Sequence, residues 1–128
     1  INRNIKRYDD DGFGLWPVVL KSSGEVIGDC GITMQNINGE MLPEIGYHIH
    51  EQYQGMGYAS EAARLCIYYA FHSLNIPALY SYMKYTNVPS CRVAEKCGMS
   101  LIDEYNGICG FIKLLMFLSM HTTLPVYT

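Results

Sequence analysis

The spacing of apolar and polar residues divides the chain into short strands and a few helices. Between residues 43 and 51, apolar Ile45, Tyr47 and Ile49 alternate with polar or small residues, which is the period of a strand with one polar face. From Ala59 to Leu74, apolar residues recur every three to four positions, which predicts an amphipathic helix. The chain therefore has a strand that is followed closely by its longest helix.

Weaker patterns and turn residues complete the order of elements. Residues 1–8 have helical spacing, so we expect the end of a helix there. We predict strands at 15–21, 26–34, 78–84, 100–106 and 110–119, a short helix at 87–99 and a loop at 35–42. Pro17 is expected at an edge or bulge, Gly98 just past the short helix, and Asn106-Gly107 at a hairpin turn. The order predicts an α+β fold of three layers, in which the strand after the long helix runs parallel to the strand before it.

Composition indicates a folded domain and argues against nucleic acid and membranes as partners. With 128 residues, 49% of them hydrophobic, residues 1–128 are expected to form a single domain. A net charge of −3, with only nine Lys and Arg residues, argues against binding to nucleic acid. The most apolar stretch, 111–120, is too short for a bilayer and contains Lys113, so we expect no membrane partner.

The cysteines and histidines favour a reducing compartment and no metal. The five cysteines are odd in number and have no C-x-x-C spacing, which fits a cytoplasmic protein with free thiols. The four histidines do not cluster with cysteines at ligand spacing, so we expect no metal site.

Two glycines, Gly55 and Gly57, stand directly before the long helix. Glycines at a helix start allow a phosphate to approach the backbone N–H groups, but a plain turn with positive φ would also require them. No phosphate-binding G-x-x-x-x-G-K-[ST] motif is present. A nucleotide-binding oxidoreductase is a remote alternative, because Ser60 stands where a dinucleotide fingerprint has its third glycine.

Three blocks of sequence together resemble one family. "QGMGYA" at 54–59 resembles the (Q/R)-x-x-G-x-(G/A) signature of the GNAT superfamily of N-acetyltransferases. "EIGYHIHEQYQGMGYASEA" is similar to the branch that includes the ribosomal-protein alanine N-acetyltransferases, and "NVPSCRVAEKCGM" resembles the second motif of that branch. The family's first strand and first helix have no counterpart, so the resemblance implies an N-terminally incomplete domain with helices on both faces of a mixed, mostly antiparallel sheet.

The resemblance implies that acetyl-coenzyme A is the co-substrate and that a small-molecule or peptide amine is the acceptor. The amine would attack directly in a ternary complex, and the third strand would splay from the strand at 78–84 to admit the thioester. The residues implied in cofactor binding are Ile49, Gln54, Gly55, Met56, Gly57, Tyr58, Ala59, Ser60, Asn87 and Ser90. A backbone N–H near Ile49 would stabilise the oxyanion.

Glu44 is the first candidate for the general base, since it begins the strand and shares its polar face with His48. A structural carboxylate at the strand end is the alternative for Glu44. His48 or His50 would substitute as the base, although a strand histidine more often serves packing.

The general acid is less clear from the sequence. Many family members have a tyrosine seven residues after the motif asparagine, where this chain has Ala94. Ser90, Tyr85 or water would then protonate the thiolate. The missing tyrosine keeps a second hypothesis open, a non-catalytic acyl-CoA-binding protein of the same fold. The identity of the acceptor and the choice between monomer and homodimer are left open by the sequence.

Overall fold

Six strands and two helices are formed by residues 14–114, the part of the chain that the computed structural model describes. The elements are β1 (Leu15–Val19), β2 (Val26–Ile37), β3 (Glu40–Ile49), α1 (Tyr58–His72), β4 (Ala78–Lys84), α2 (Val88–Lys96), β5 (Ser100–Tyr105) and β6 (Ile108–Leu114). A single 3₁₀ turn, Glu51–Tyr53, lies between β3 and α1. The predicted helix at 1–8 and the end of the last predicted strand, 115–119, lie outside the described residues.

The strands form one mixed sheet in the order β1-β2-β3-β4-β6-β5. Within the described residues, every neighbouring pair is antiparallel except β3 and β4, which run parallel and are joined through α1. Pro17 lies in β1, at an edge of this described sheet, where its missing N–H is tolerated. The predicted α+β class and the parallel pairing of the third and fourth strands are confirmed.

The β2–β3 hairpin corrects the loop that was predicted at 35–42. β2 and β3 pair without a break as far as Ile37 and Glu40, which leaves only Asn38 and Gly39 in the turn. These two residues have φ angles of 54° and 84°, the positive values that a tight two-residue hairpin requires and that Asn-Gly adopts readily. The prediction was wrong because it took the polar run as a loop and overlooked the turn signal inside it.

Both described helices pack on the same face of the sheet. Ile32 and Ile45 from the strands and Leu79 from β4 join Ala63 of α1 and Ala94 of α2 in one buried apolar cluster. The third layer expected on the opposite face stays a prediction. Neither described helix is long and apolar enough to span a membrane.

Candidate active site

β3 and β4 meet at one position and then separate. Among the described residues, the pairing between these strands consists of Glu44 with Tyr80 alone. Beyond this point lies a cleft of about 350 Å³, lined by residues 44–47 of β3, residues 81–84 of β4, and Thr86, Asn87 and Ser90 at the start of α2. The separation agrees with the splay that the family resemblance implied.

The carboxylate of Glu44 lies at the base of this cleft. Its Oε2 atom accepts a hydrogen bond of 3.0 Å from the backbone N–H of Tyr82 on β4. The carboxylate therefore takes the place of a backbone acceptor at the position where the two strands stop pairing. Burial raises the pKa of Glu44, and the hydrogen bond from Tyr82 opposes part of that rise. Glu44 lies in the middle of β3, not at its start as predicted, because β3 extends back to Glu40. It makes the hydrogen bond of a structural carboxylate, and its pKa is raised, which is the direction that suits a general base.

The backbone of β3 directs N–H groups toward the side from which β4 has separated. The N–H of His50 donates to the carbonyl of Ile27 on β2 at 2.7 Å. Successive residues of a strand direct their N–H groups to opposite edges, so Tyr47 and Ile49 direct theirs away from β2. The carbonyl of Ile49 also accepts a hydrogen bond of 2.8 Å from the side chain of Gln54. The N–H of Ile49 is thus on the edge of β3 that faces away from β2.

The start of α2 forms the other wall of the cleft. Asn87 caps the helix, because its Oδ1 atom accepts a hydrogen bond of 3.3 Å from the N–H of Ser90. The hydroxyl of Tyr47 donates to the carbonyl of Ser90 at 2.7 Å, which links β3 to α2 across the cleft. Burial raises the pKa of Tyr47 to about 12, so the phenol remains protonated at neutral pH. Because the Oδ1 atom of Asn87 accepts the N–H of Ser90, the side-chain amide nitrogen of Asn87 is the group left for a ligand.

Tyr47 is a cleft residue whose hydroxyl contact sequence reasoning missed. Its apolar neighbours in the alternating pattern identified it as a core residue, and the structure does pack its ring against the core. A buried tyrosine nevertheless needs a partner for its hydroxyl, which was the available signal.

The turn that precedes α1 is open. Gly55 and Gly57 have φ angles of 79° and 87°, so a positive φ by itself accounts for both glycines. Gly57 is the N-cap of α1 and no side chain caps the helix, which leaves first-turn N–H groups without partners inside it. A Cβ added to either glycine would meet nothing within 4 Å. The N–H of Gln54, in contrast, already donates to the carbonyl of Glu51 at 3.2 Å.

The other residues expected around the cofactor differ in exposure. Met56 is exposed, Tyr58 and Ala59 are half-buried, and Ser60 is buried. The carbonyl of Ser60 accepts a weak hydrogen bond from the thiol of Cys97 at 3.8 Å. These residues can therefore contribute to a ligand site mainly through backbone N–H groups at the helix start.

His48 and Ala94 lie outside the cleft lining. His48 is exposed on the polar face of β3, about 13 Å along the strand from Glu44 at roughly 3.3 Å per residue. Ala94 is 0% exposed within the core, so α2 presents no hydroxyl at that position. The described residues hold no group of three or more His, Cys, Asp or Glu side chains arranged for a metal.

A family model matches the part of the chain that contains both the cleft between β3 and β4 and the open turn before α1. Residues 1–100 match the family model described as the acetyltransferase (GNAT) domain. The chain belongs to the GNAT family. This confirms the resemblance of the three sequence blocks.

The chain is also similar to individual proteins named as acetyltransferases. The chain is 34% identical over 95 residues to the uncharacterized N-acetyltransferase YnaD of Bacillus subtilis (strain 168), covering 74% of this chain and 55% of that protein. It is 31% identical to an acetyltransferase from Agrobacterium tumefaciens str. C58, whose crystal structure superposes with a TM-score of 0.75 and covers 86% of this chain and 66% of that one.

Campylobacter jejuni PseH, solved in complex with acetyl coenzyme A, shares the fold alone, with 20% identity, a TM-score of 0.68 and coverage of 88% of this chain and 74% of that one. The chain spans about half the length of the curated relatives that it matches.

Proposed function

We propose that this GNAT domain transfers the acetyl group of acetyl-coenzyme A to a primary amine, by direct attack of the amine in a ternary complex. The observation that carries the proposal is the cleft at the divergence of β3 and β4, where a partly buried carboxylate and outward-directed strand N–H groups meet. Family membership supplies the class of reaction.

The residues before α1 fit the phosphate end of such a co-substrate. The N-cap glycine leaves the turn without a side chain, and the partial positive charge of the helix start favours an anion there. Backbone N–H groups from Gly55 to Ser60 would hold the pyrophosphate, and Gln54 would fix the turn to the end of β3 through Ile49. The edge of β3 that faces the cleft would hold the pantetheine as an added strand would.

Glu44 would take the proton of the acceptor ammonium, directly or through a water. When bound, acetyl-coenzyme A supplies the activated acetyl group and the thiol leaving group. The N–H groups of Tyr47 and Ile49 would stabilise negative charge on the acetyl oxygen. The fixed hydrogen bond from Tyr82 holds the carboxylate at the base of the cleft during these steps.

We assign protonation of the departing thiolate to Ser90 or to water, because α2 offers Ala94 where many family members have a tyrosine. Ser90 lines the cleft and is half-buried. Tyr85 is 65% exposed and lies outside the cleft lining, which makes it the weaker candidate. A thiol has an ordinary pKa of about 8.5, so its thiolate leaves without strong assistance from an acid.

We also propose that the protein works in the cytoplasm. All five cysteines are free thiols, as expected in a reducing compartment.

Two measurements test the function. Calorimetry with coenzyme A and acetyl-coenzyme A reports binding, and release of free thiol in the presence of a panel of primary amines reports transfer. Binding without thiol release by any amine would favour the alternative, a non-catalytic acyl-CoA-binding protein. Initial rates measured against both substrates should give intersecting double-reciprocal lines, whereas parallel lines would indicate a covalent acetyl-enzyme and contradict direct attack.

A further inference from the structure

Two tyrosine rings lie beside the cleft on the face of the sheet opposite the helices. Tyr80 and Tyr82 are stacked with 6.5 Å between ring centroids and an angle of 16° between planes. They alternate along β4 with buried residues that face the helices, and both are half-buried. Since Glu44 pairs with Tyr80 and binds the N–H of Tyr82, the two rings adjoin the proposed base.

Gly110 allows the ring of Tyr82 to extend over β6. A Cβ built on Gly110 would lie 3.1 Å from Cδ1 and 3.2 Å from Cζ of Tyr82, so the ring covers this glycine. Gly110 pairs with Tyr82 on one side and with Asp103 of β5 on the other. Residues paired across antiparallel strands share a face, so Asp103 lies on the same face just beyond the ring.

Carboxylates lie near this aromatic surface. Burial, and then the charges of Asp103 and Glu44, raise the pKa of Tyr82, so its phenol is neutral and lies in a negative potential. Within residues 14–114, Asp103 forms no ion pair and is exposed. Lys84, two residues beyond Tyr82 on the same face of β4, is the cationic side chain that bounds the surface on that side.

We propose that Tyr80, Tyr82 and Asp103 form an acceptor subsite that holds a second positive charge of the substrate, so that the acceptor is a diamine or polyamine. The inference rests on the proposed function, in which Glu44 deprotonates the reacting amine. A tyrosine ring attracts an ammonium group over its face, and the neighbouring carboxylate strengthens that attraction. Adjacent strands lie about 4.8 Å apart, so the ring over β6 is roughly 5–10 Å from Glu44, a gap that a five-carbon diamine bridges.

Three matched acceptors test the subsite with the full chain. Pentylamine, diaminopentane and aminopentanoate have the same reacting amine and carry a methyl group, an ammonium or a carboxylate at the far end. Thiol release from acetyl-coenzyme A gives kcat/KM for each. We expect diaminopentane to exceed pentylamine by about tenfold, which is the scale of one partly desolvated cation–π contact with a carboxylate beside it. Aminopentanoate should be the poorest of the three.

Three variants show whether the named residues cause the preference. Asp103→Asn and Tyr82→Leu should each bring the ratio of diaminopentane to pentylamine toward one, whereas damage to the fold alone would lower both rates and keep the ratio. Glu104→Gln is the matched control, because Glu104 is the neighbouring carboxylate on β5, directed to the other face, and its removal should leave the ratio unchanged.

The outcomes separate this inference from the function on which it rests. Equal kcat/KM for the three acceptors, or a ratio that survives both Asp103→Asn and Tyr82→Leu, would overturn the subsite while acetyl transfer stands. No thiol release with these three amines, when another amine of the wider panel is acetylated, would likewise overturn the subsite alone. Coenzyme A binding without thiol release by any amine of that panel would instead contradict acetyl transfer, and the subsite with it.

Discussion

Replacing Glu44 by glutamine removes the proposed base and keeps its structural contact. The glutamine Oε1 atom can still accept the N–H of Tyr82, which binds the carboxylate at 3.0 Å in the wild-type protein. Glutamine cannot take a proton from an ammonium group. We therefore expect acetyl-coenzyme A affinity to stay nearly constant, while turnover near neutral pH falls by about 10²–10⁴-fold, the usual contribution of a positioned general base.

The pH dependence follows from the direction of the Glu44 pKa shift. Burial raises the pKa of this carboxyl in the folded protein. Wild-type kcat/KM should therefore rise with pH along an acid limb that lies above the ordinary carboxyl range, and the limb should be absent in Glu44→Gln. Raising the pH should restore part of the variant's rate, because more of the acceptor is then neutral.

Stability provides an independent check on the same residue. A carboxyl whose pKa is raised by folding stabilises the fold below its unfolded pKa, and this contribution is lost as pH rises through the folded pKa. At neutral pH, Glu44→Gln should thus be at least as stable as wild type. Glu44→Ala leaves the N–H of Tyr82 without its acceptor and should lose about 1–3 kcal/mol, or roughly 4 °C in Tm for each kcal/mol.

Steady-state thiol release across pH, with thermal unfolding of both variants, completes the test. Wild-type rates in Glu44→Gln at every pH would remove Glu44 from the mechanism. A loss of turnover that does not respond to pH would instead indicate that the acceptor is misplaced.

Three further changes test the cofactor turn and the wall of the cleft. Gly57→Val should abolish coenzyme A binding measurable by calorimetry. Gly39→Val is the control, because Gly39 has a comparable φ of 84° and the substitution should cause similar strain without affecting binding. Equal losses of affinity in the two variants would contradict the role of the turn. Asn87→Ala should lower the free energy of unfolding by about 1 kcal/mol through loss of the cap, and Asn87→Ser should restore most of it; denaturant titration with no such recovery would refute the capping account. Tyr47→Phe removes the 2.7 Å hydrogen bond to the carbonyl of the half-buried Ser90 and should lower the free energy of unfolding by about 0.5–1.5 kcal/mol, the usual net contribution of one hydrogen bond. An unchanged midpoint in the same titration would show that this bond does not stabilise the fold.

Local patterns predicted an element correctly where one periodicity of apolar residues, or one turn residue, is enough to specify it. The alternation around Ile45 predicted a strand, and the apolar spacing from Ala59 to Leu74 predicted a helix, which the structure forms from Tyr58 to His72. Gly98 has a φ of 76° and follows α2 as expected. The boundaries were less accurate because strand ends depend on the partner. The Asn38-Gly39 turn, for example, extends both β2 and β3 beyond the region of clear alternation.

The sequence by itself determined which elements form, which face of each is apolar, and where positive φ is required, since these depend on residues close together in the chain. The family blocks also identified the turn before α1 as a candidate site, and the polar face of the third predicted strand suggested Glu44. Only the tertiary structure decided that β3 and β4 part after one paired position and that the carboxylate of Glu44 accepts the N–H of Tyr82. It also brought Asp103, from a strand near the end of the chain, to the face that carries Tyr82. These relations join residues 20 or more positions apart, for which the spacing along the chain gives no signal, and they arise from the order in which the strands assemble.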